Sequence, residues 1–189
     1  DADSVDHAKF GADLLFKDGL ISTFLNGMVK CTGYKPGALE DRYDSDGVFL
    51  YDRLNKSDME MLELAIRCHN MYRIPQGLNS REQAFCNVLR DADKVDIFKV
   101  NIDTPLEEIY NTTTEELMKS DITDEVLEAF DEEHCILKAI RRTPADTVIG
   151  HVSLAYELVY DESVRITVEQ GYLAKLMHFH SDNEETNRK

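Results

Sequence analysis

Apolar positions recur at helical spacing over most of the chain, so the pattern predicts a protein built almost entirely of helices. A first helix is predicted from residue 7 to about residue 25, with an interruption near Gly19. Two capping boxes, Ser57–Glu60 and Ser80–Gln83, open the next two helices. The later helix signals are Thr104-Pro105, Thr113–Glu116, Thr123–Glu125, Thr143-Pro144 with a helix through Val159, and about Ser163 to Phe179. Residues 134–141 are ambiguous between a helix end and a short strand.

This pattern favours a single all-α domain, a helical bundle over residues 1–189. Its predicted segments are a core over 1–100, C-terminal helices over 101–180 and a frayed polar tail over 181–189. A Gly- and Pro-containing stretch from about residue 27 to 56 reads as a loop. Because loops of nearly 30 residues are uncommon, we expect this one to be a lid, an insertion or partly ordered.

The helix that begins at Ser80 carries three carboxylates in an otherwise apolar pattern. On an ideal helical wheel, four apolar residues lie within about 60° of Ala92, which predicts a buried face. These residues are Phe85, Val88, Leu89 and Val95. Asp96 falls inside this face, whereas Asp91 and Asp93 fall on its two edges. Arg90 and Lys94 are predicted to point to solvent.

Burial of a carboxylate costs several kcal/mol, roughly, unless a cation or hydrogen bonds offset the cost. His7 and His69 lie on the apolar stripes of two other predicted helices, so inward acids and inward histidines together indicate a metal site. Asp93 is the favoured ligand, with Asp96 as a partner that orients a histidine or supports a ligand. Asp91 and Asn70 are further candidates to support a ligand or to replace one, and the alternative for Asp91 is a structural hydrogen bond or ion pair. The alternative is that all of these side chains merely hydrogen-bond inside an acidic all-α core.

The net charge of -16 argues against nucleic-acid polymers and anionic membrane surfaces as partners. No apolar run approaches the roughly 20 residues that span a bilayer. The four scattered cysteines suit reduced thiols, which predicts a cytoplasmic protein. Three other candidates are weaker. Asp44–Gly47 is a polar turn with some likeness to a calcium loop, and His178 with His180 is a candidate for adventitious metal binding. His134 and His151 have no acidic or cysteine partner at a telling spacing.

Three segments together resemble the HD-domain superfamily of metal-dependent phosphohydrolases. Val5–Leu15 resembles the family's "H-x-x-x-G-A-x-x-L" segment, Ala65–Asn70 its later histidine helix, and Arg90–Asp96 its closing aspartate motif. They occur in the family's order and span about residues 4 to 100. The helices after residue 140 are similar to the C-terminal half of predicted HD-superfamily hydrolases.

The resemblance implies an all-α fold around one or two metal ions, with hydrolysis of phosphate esters, often of nucleotides. By position, Asp93 matches the final metal-binding aspartate. His7 and His69 match accessory histidines that bind a second metal or the substrate phosphate. Asn70 stands where some relatives have another histidine. The implied cofactor is a divalent metal, Mn, Fe, Ni, Zn or Mg, and the implied ligand is a nucleotide or another small phosphorylated molecule.

The family's first histidine and its His-Asp doublet have no counterpart, since no His-Asp dipeptide occurs in the 189 residues. The chain also begins with Asp1 rather than Met, and we expect these ligands to lie upstream of it. A site without them is expected to bind metal weakly. Two functional hypotheses follow: a metal-dependent phosphohydrolase that is incomplete in this chain, or a catalytically degenerate HD-like module that senses a ligand or acts as a scaffold. Oligomerisation remains open.

Overall fold

The computed structural model describes residues 6–21, 23 and 56–188, and within these ranges it contains helices and no strand. The α-helices are α1 His7–Ala12, α2 Lys56–Cys68, α3 Ser80–Asp103, α4 Leu106–Tyr110, α5 Thr114–Lys119, α6 Asp124–Asp131, α7 Pro144–Val152, α8 Asp161–Gln170 and α9 Tyr172–Met177. This confirms the all-α prediction. The loop prediction for residues 27–55 and the turn at Asp44–Gly47 lie outside the described residues. None of the described helices has the length and apolarity to cross a bilayer.

The chain divides into two compact units, one up to residue 89 and one from residue 90 onward. In the first unit, α1 continues into a π-helical turn over Asp13–Lys17 and packs against α2. Arg67 on α2 holds this contact, because its guanidinium bonds to a carboxylate oxygen of Asp13 at 2.5 Å. A small apolar cluster lies beside it, formed by Ala65, Cys68 and Cys86 with partly buried Leu64, Ile74, Leu78 and Leu89.

The second unit has two apolar cores. The larger is built on Phe98, Leu117, Val148, Val152 and Leu176. The smaller is built on Ile122, Val126, Ile136 and Ala145. The fully buried carboxylate of Asp146 links α7 to the segment before α6: it accepts hydrogen bonds from the backbone N–H groups of Thr123, Arg142 and Thr143 at 2.8–3.0 Å. The buried charge is therefore satisfied by backbone donors.

Three local predictions for the second unit are wrong. The helix that begins at Pro144 ends at Val152 and gives way to a 3₁₀ turn over Ser153–Glu157. The last helix is two helices, since Gly171 adopts a left-handed φ of 70° between α8 and α9. The tail is packed rather than frayed. Its Ser181 hydroxyl donates to the Met118 carbonyl at 2.6 Å, and the Thr186 hydroxyl donates to the Ser120 carbonyl at 2.9 Å.

Candidate functional site

The contact between α1 and α2 brings two of the predicted site residues together. The Nε2 atoms of His7 and His69 lie 3.1 Å apart, and the two ring centroids are 5.1 Å apart. On its other side, His69 Nδ1 is 2.7 Å from the Ile66 carbonyl oxygen. Because a carbonyl only accepts, Nδ1 carries the proton, and the Nε2 lone pair of neutral His69 is directed at His7. We refer to these two residues as the histidine pair.

Asp6 and Asn70 lie next to the histidine pair in sequence and bond to each other. The Asn70 amide donates to Asp6 Oδ1 at 3.1 Å, and the Lys9 ammonium lies 2.9 Å from Asp6 Oδ2. The hydrogen bond from Lys9, followed by that from Asn70, holds the pKa of Asp6 well below its usual range. Asp6 also caps α1 by accepting from the Lys9 backbone N–H. The Asp6 carboxylate is therefore ionised and paired with Lys9 and Asn70.

The spacing of the histidine pair is that of a hydrogen bond between the two rings, and it is also compatible with two ligands on one metal ion. Zinc–imidazole bonds are about 2.0–2.1 Å long, so two ligand nitrogens are separated by about 3.0 Å at a right angle and about 3.4 Å at a tetrahedral angle. The observed 3.1 Å falls between these values. Within residues 6–21, 23 and 56–188, no group of three or more His, Cys, Asp or Glu side chains forms a complete site. The pair thus offers two adjacent ligand positions.

Asp91 is held in a structural role. Its side chain is 1% exposed, and both carboxylate oxygens accept from the Val159 backbone N–H at 3.1 Å. One of them also accepts from the Tyr160 backbone N–H at 3.0 Å. Tyr160 caps the start of α8, where backbone N–H groups lack helical acceptors and a negative charge is favourable. This geometry matches the interpretation of Asp91 as a structural hydrogen-bond acceptor.

The face of α3 predicted to be buried is the exposed one. Phe85 and Val88 are 43% and 57% exposed, and Ala92 and Asp96 are exposed as well. The opposite face turns inward instead, through Cys86, Arg90, Asp91, Lys94, Phe98 and Asn101. The helix carries apolar residues around much of its circumference, so spacing alone did not identify the core side. Hydrogen bonds of Asp91 and packing of Phe98 determine it.

The prediction that Arg90 and Lys94 face solvent is therefore wrong. They are 8% and 5% exposed. Burial, and then the neighbouring charge of Arg90, lowers the pKa of Lys94. Both effects disfavour a second positive charge in the same interior.

Asp93 is half-buried on α3, and Asp96 lies exposed on the same helix. Asp93 belongs to the second unit, whereas the histidine pair belongs to the first. The assignment of Asp93 as a third ligand, with Asp96 in support, stays a prediction.

A buried polar network in the second unit was not predicted from the sequence. The Tyr110 hydroxyl donates to Asn101 Oδ1 at 2.7 Å, and His151 Nδ1 donates to the same oxygen at 2.8 Å. The Asn101 amide is oriented by its bond to the Ile97 carbonyl at 2.8 Å. Burial lowers the pKa of His151 to about 4 and raises that of Tyr110 to about 12. His151 lacked a telling acidic neighbour in the sequence because its partner is an amide 50 residues away.

Two further histidines make local contacts. His134 Nε2 lies 2.7 Å from a Glu132 carboxylate oxygen, and His178 Nδ1 donates to the Ala174 carbonyl.

No protein-family model, curated protein or solved structure matches the chain. The resemblance to the HD superfamily accordingly depends on the sequence motifs.

Proposed function

We propose that this chain carries part of the site of a metal-dependent phosphohydrolase of the HD type that acts on a nucleotide or another small phosphate ester, a site that is incomplete in this chain because the His-Asp doublet is absent from its 189 residues. The observation that carries the proposal is the 3.1 Å separation of the His7 and His69 Nε2 atoms. These residues come from two of the three motifs that resemble the family. Their convergence supports a shared ligand-binding role, and Asp93, from the third motif, is proposed as a further ligand.

The residues present fit a divalent metal through the chemistry of their donors. Imidazole nitrogen suits Zn, Ni and Fe, and an added carboxylate extends the range towards Mn and Mg. When bound, such an ion polarises a phosphoryl oxygen and promotes the ionisation of water. The chain itself orients the donors: the Ile66 carbonyl fixes the tautomer of His69, and Arg67 holds α2 against α1. Local positive charge from an ion also offsets the repulsion of a phosphate ester by an acidic protein.

The test is phosphate release from nucleoside mono-, di- and triphosphates and from p-nitrophenyl phosphate, with Mn²⁺ or Ni²⁺ present. Because the site is incomplete in this chain, we expect weak but metal-dependent turnover by the wild-type chain, which falls to the uncatalysed background in Asp93→Ala and His69→Ala. His180→Ala is the matched control, because His180 is exposed and belongs to neither motif. Turnover that survives Asp93→Ala or an excess of chelator contradicts the proposal.

A second candidate is a non-catalytic HD-like module that binds a nucleotide as a sensor. The observation that favours it is the bond between Asn70 and Asp6, which places an amide where a further histidine ligand is found in some relatives. In this case, nucleotides raise the thermal midpoint of the chain and remain intact after prolonged incubation. Hydrolysis of any of these nucleotides contradicts the sensor and supports the phosphohydrolase.

A further inference from the structure

The two residues that flank the histidine pair in sequence are hydrogen-bonded to each other. Asp6 lies directly before one histidine, and Asn70 lies directly after the other. The Asn70 amide donates to Asp6 Oδ1 at 3.1 Å. Because an ionised carboxylate only accepts hydrogen bonds, the atom that faces Asp6 is the amide nitrogen. This bond therefore joins the same two segments of the chain as the contact between the imidazoles.

Asp6 is held firmly against α1. It is the N-cap of this helix, and its Oδ1 accepts from the Lys9 backbone N–H at 3.2 Å. Its other carboxylate oxygen lies 2.9 Å from the Lys9 ammonium. An N-cap bond ties a side chain to the first turn of its own helix, and His7 is the first residue of that turn. The position of the Asp6 carboxylate is therefore coupled to that of the His7 backbone.

His69 and Asn70 lie beyond the regular part of α2, which ends at Cys68. Residues at and beyond a helix end fray, because the helical hydrogen bonds do not continue there. The bond from the His69 ring to the Ile66 carbonyl stays within this segment and does not tie it to α1. Asn70 supplies a link from this turn to α1 that uses neither imidazole.

The hydrogen bond within the histidine pair cannot itself hold the two rings when both bind one metal ion. Each ligand nitrogen must then present a lone pair to the ion, so no proton remains between the two Nε2 atoms. The bond between Asn70 and Asp6 lies outside this exchange and is retained. Contacts that hold ligands in place before binding reduce the entropy that binding costs.

We propose that Asp6 and Asn70 are positioning residues, which keep the histidine pair at ligand spacing when a divalent metal replaces the hydrogen bond between its rings. Asn70 thus serves through its bond to Asp6 and not as a ligand. This inference rests on the metal-binding role proposed above for the histidine pair.

A calorimetric titration of the full chain with Ni²⁺ tests the inference. We expect Asn70→Ala to weaken binding about tenfold, as is typical for residues that orient metal ligands. Gln76→Ala is the matched control, because it removes an exposed amide from the connection between α2 and α3, and it should keep the wild-type affinity.

A second background distinguishes positioning from coordination. Asp6→Ser keeps an N-cap hydroxyl for α1 but is too short to reach Asn70. In this background Asn70→Ala should have no further effect on Ni²⁺ affinity, because its partner is already gone. A residue that binds the metal itself would keep its effect there.

A metal-free measurement separates this inference from the proposed function. In chains with ¹⁵N-labelled histidine at about pH 8, above the ordinary titration range of histidine, the Nε2 signal of His69 reports whether that nitrogen accepts a hydrogen bond. We expect the signal to move towards that of a free imidazole in Asn70→Ala and to stay unchanged in Gln76→Ala.

The possible failures are distinct. Equal Ni²⁺ affinity in wild type and His69→Ala contradicts the proposed metal role, and the ¹⁵N signal then still tests the positioning. The positioning inference is overturned if Asn70→Ala leaves the ¹⁵N signal unchanged. It is also overturned if Asn70→Ala keeps the wild-type affinity where His69→Ala loses it, or if Asn70→Ala weakens binding equally in the Asp6→Ser background.

Discussion

The contact between α1 and α2 and the interior of the second unit use polar side chains in opposite ways. In the first, His7 and His69 direct ring nitrogens at each other near the surface, with His7 exposed and His69 half-buried. In the second, Asp91 and Asp146 are almost fully buried and accept hydrogen bonds from backbone N–H groups of distant segments. The first contact is open to solvent, whereas the buried carboxylates of the second unit hold distant segments of the fold together.

The largest expected effect tests the structural role of Asp91. Asp91→Ala leaves the Val159 and Tyr160 N–H groups without their acceptor, and we expect unfolding free energy to fall by about 4 kcal/mol. Urea denaturation measures the change. The matched control is Asp96→Ala on the exposed side of α3, which we expect to cost less than about 0.5 kcal/mol. Equal losses in the two variants contradict the inward face described for this helix.

The next effect concerns the buried imidazole of His151. Burial lowers its pKa to about 4, with smaller contributions from Arg141 and Lys138, whereas the usual value is 6.5. As pH falls from about 6.5 to about 4, the unfolded chain takes up a proton that the folded chain does not, so stability decreases. The loss saturates below about pH 4 at roughly 3 kcal/mol.

Unfolding free energy measured between pH 7.5 and pH 4 checks this dependence. In His151→Gln the contribution of this group disappears, so the curve is flatter over that window. His180→Gln is the exposed control and should follow the wild-type curve. A wild-type slope that persists in His151→Gln shows that other groups cause it.

A smaller effect is expected where Arg141 packs on α7. A methyl group on Gly150 collides with the Arg141 guanidinium, which donates to the Ile136 carbonyl at 2.6 Å. We expect Gly150→Ala to lower unfolding free energy by about 2 kcal/mol. Gly11→Ala on α1 meets no atom within 4 Å and replaces glycine inside a helix, so it should stabilise by about 0.5 kcal/mol. If unfolding free energy changes in the same direction in both variants, the packing of Arg141 against Gly150 is contradicted.

The smallest effect concerns the α1–α2 contact. Arg67 binds Asp13 and Glu63 at partly exposed positions, so Arg67→Met should lower the thermal midpoint by only about 2 °C, and by less at high salt. Arg165→Met is the control, because among the described residues Arg165 pairs with glutamates of its own helix. A larger effect in the control shows that Arg67 does not secure this contact.

Sequence periodicity was sufficient to predict the helical class and several helix starts. The helix start predicted at Thr143-Pro144 is present, with Thr143 as the N-cap. The capping box predicted at Ser80–Gln83 is wrong by one residue, since Asn79 and Glu82 cap that helix. The buried side of α3 was not predictable, because Phe85 and Val88 share helical spacing with a core face but lie exposed, whereas Arg90 and Lys94 are buried. That orientation depends on hydrogen bonds that Asp91 accepts from backbone N–H groups almost 70 positions away, a long-range contact that local spacing does not encode.

The polar side chains of the candidate site and of the interior were likewise only partly predictable from the sequence. His7 and His69 were identified from helical stripes and motifs, and the structure brings them together across 62 residues. The network of Asn101, Tyr110 and His151 was not predicted, because neutral amide and phenol side chains form no sequence motif typical of a metal site or a catalytic site. Sequence motifs therefore predicted side chains near the surface, whereas the partners of the buried polar groups are evident only in the three-dimensional structure.

The most direct measurement is a calorimetric titration of the full chain with Ni²⁺, run on wild type, His69→Ala and His180→Ala. The account predicts one Ni²⁺ per wild-type chain and at least about a tenfold loss of affinity in His69→Ala. His180→Ala retains that site, and any adventitious binding at the C-terminal histidines is lost. Equal affinity in wild type and His69→Ala, or binding abolished by His180→Ala alone, contradicts a ligand role for the histidine pair.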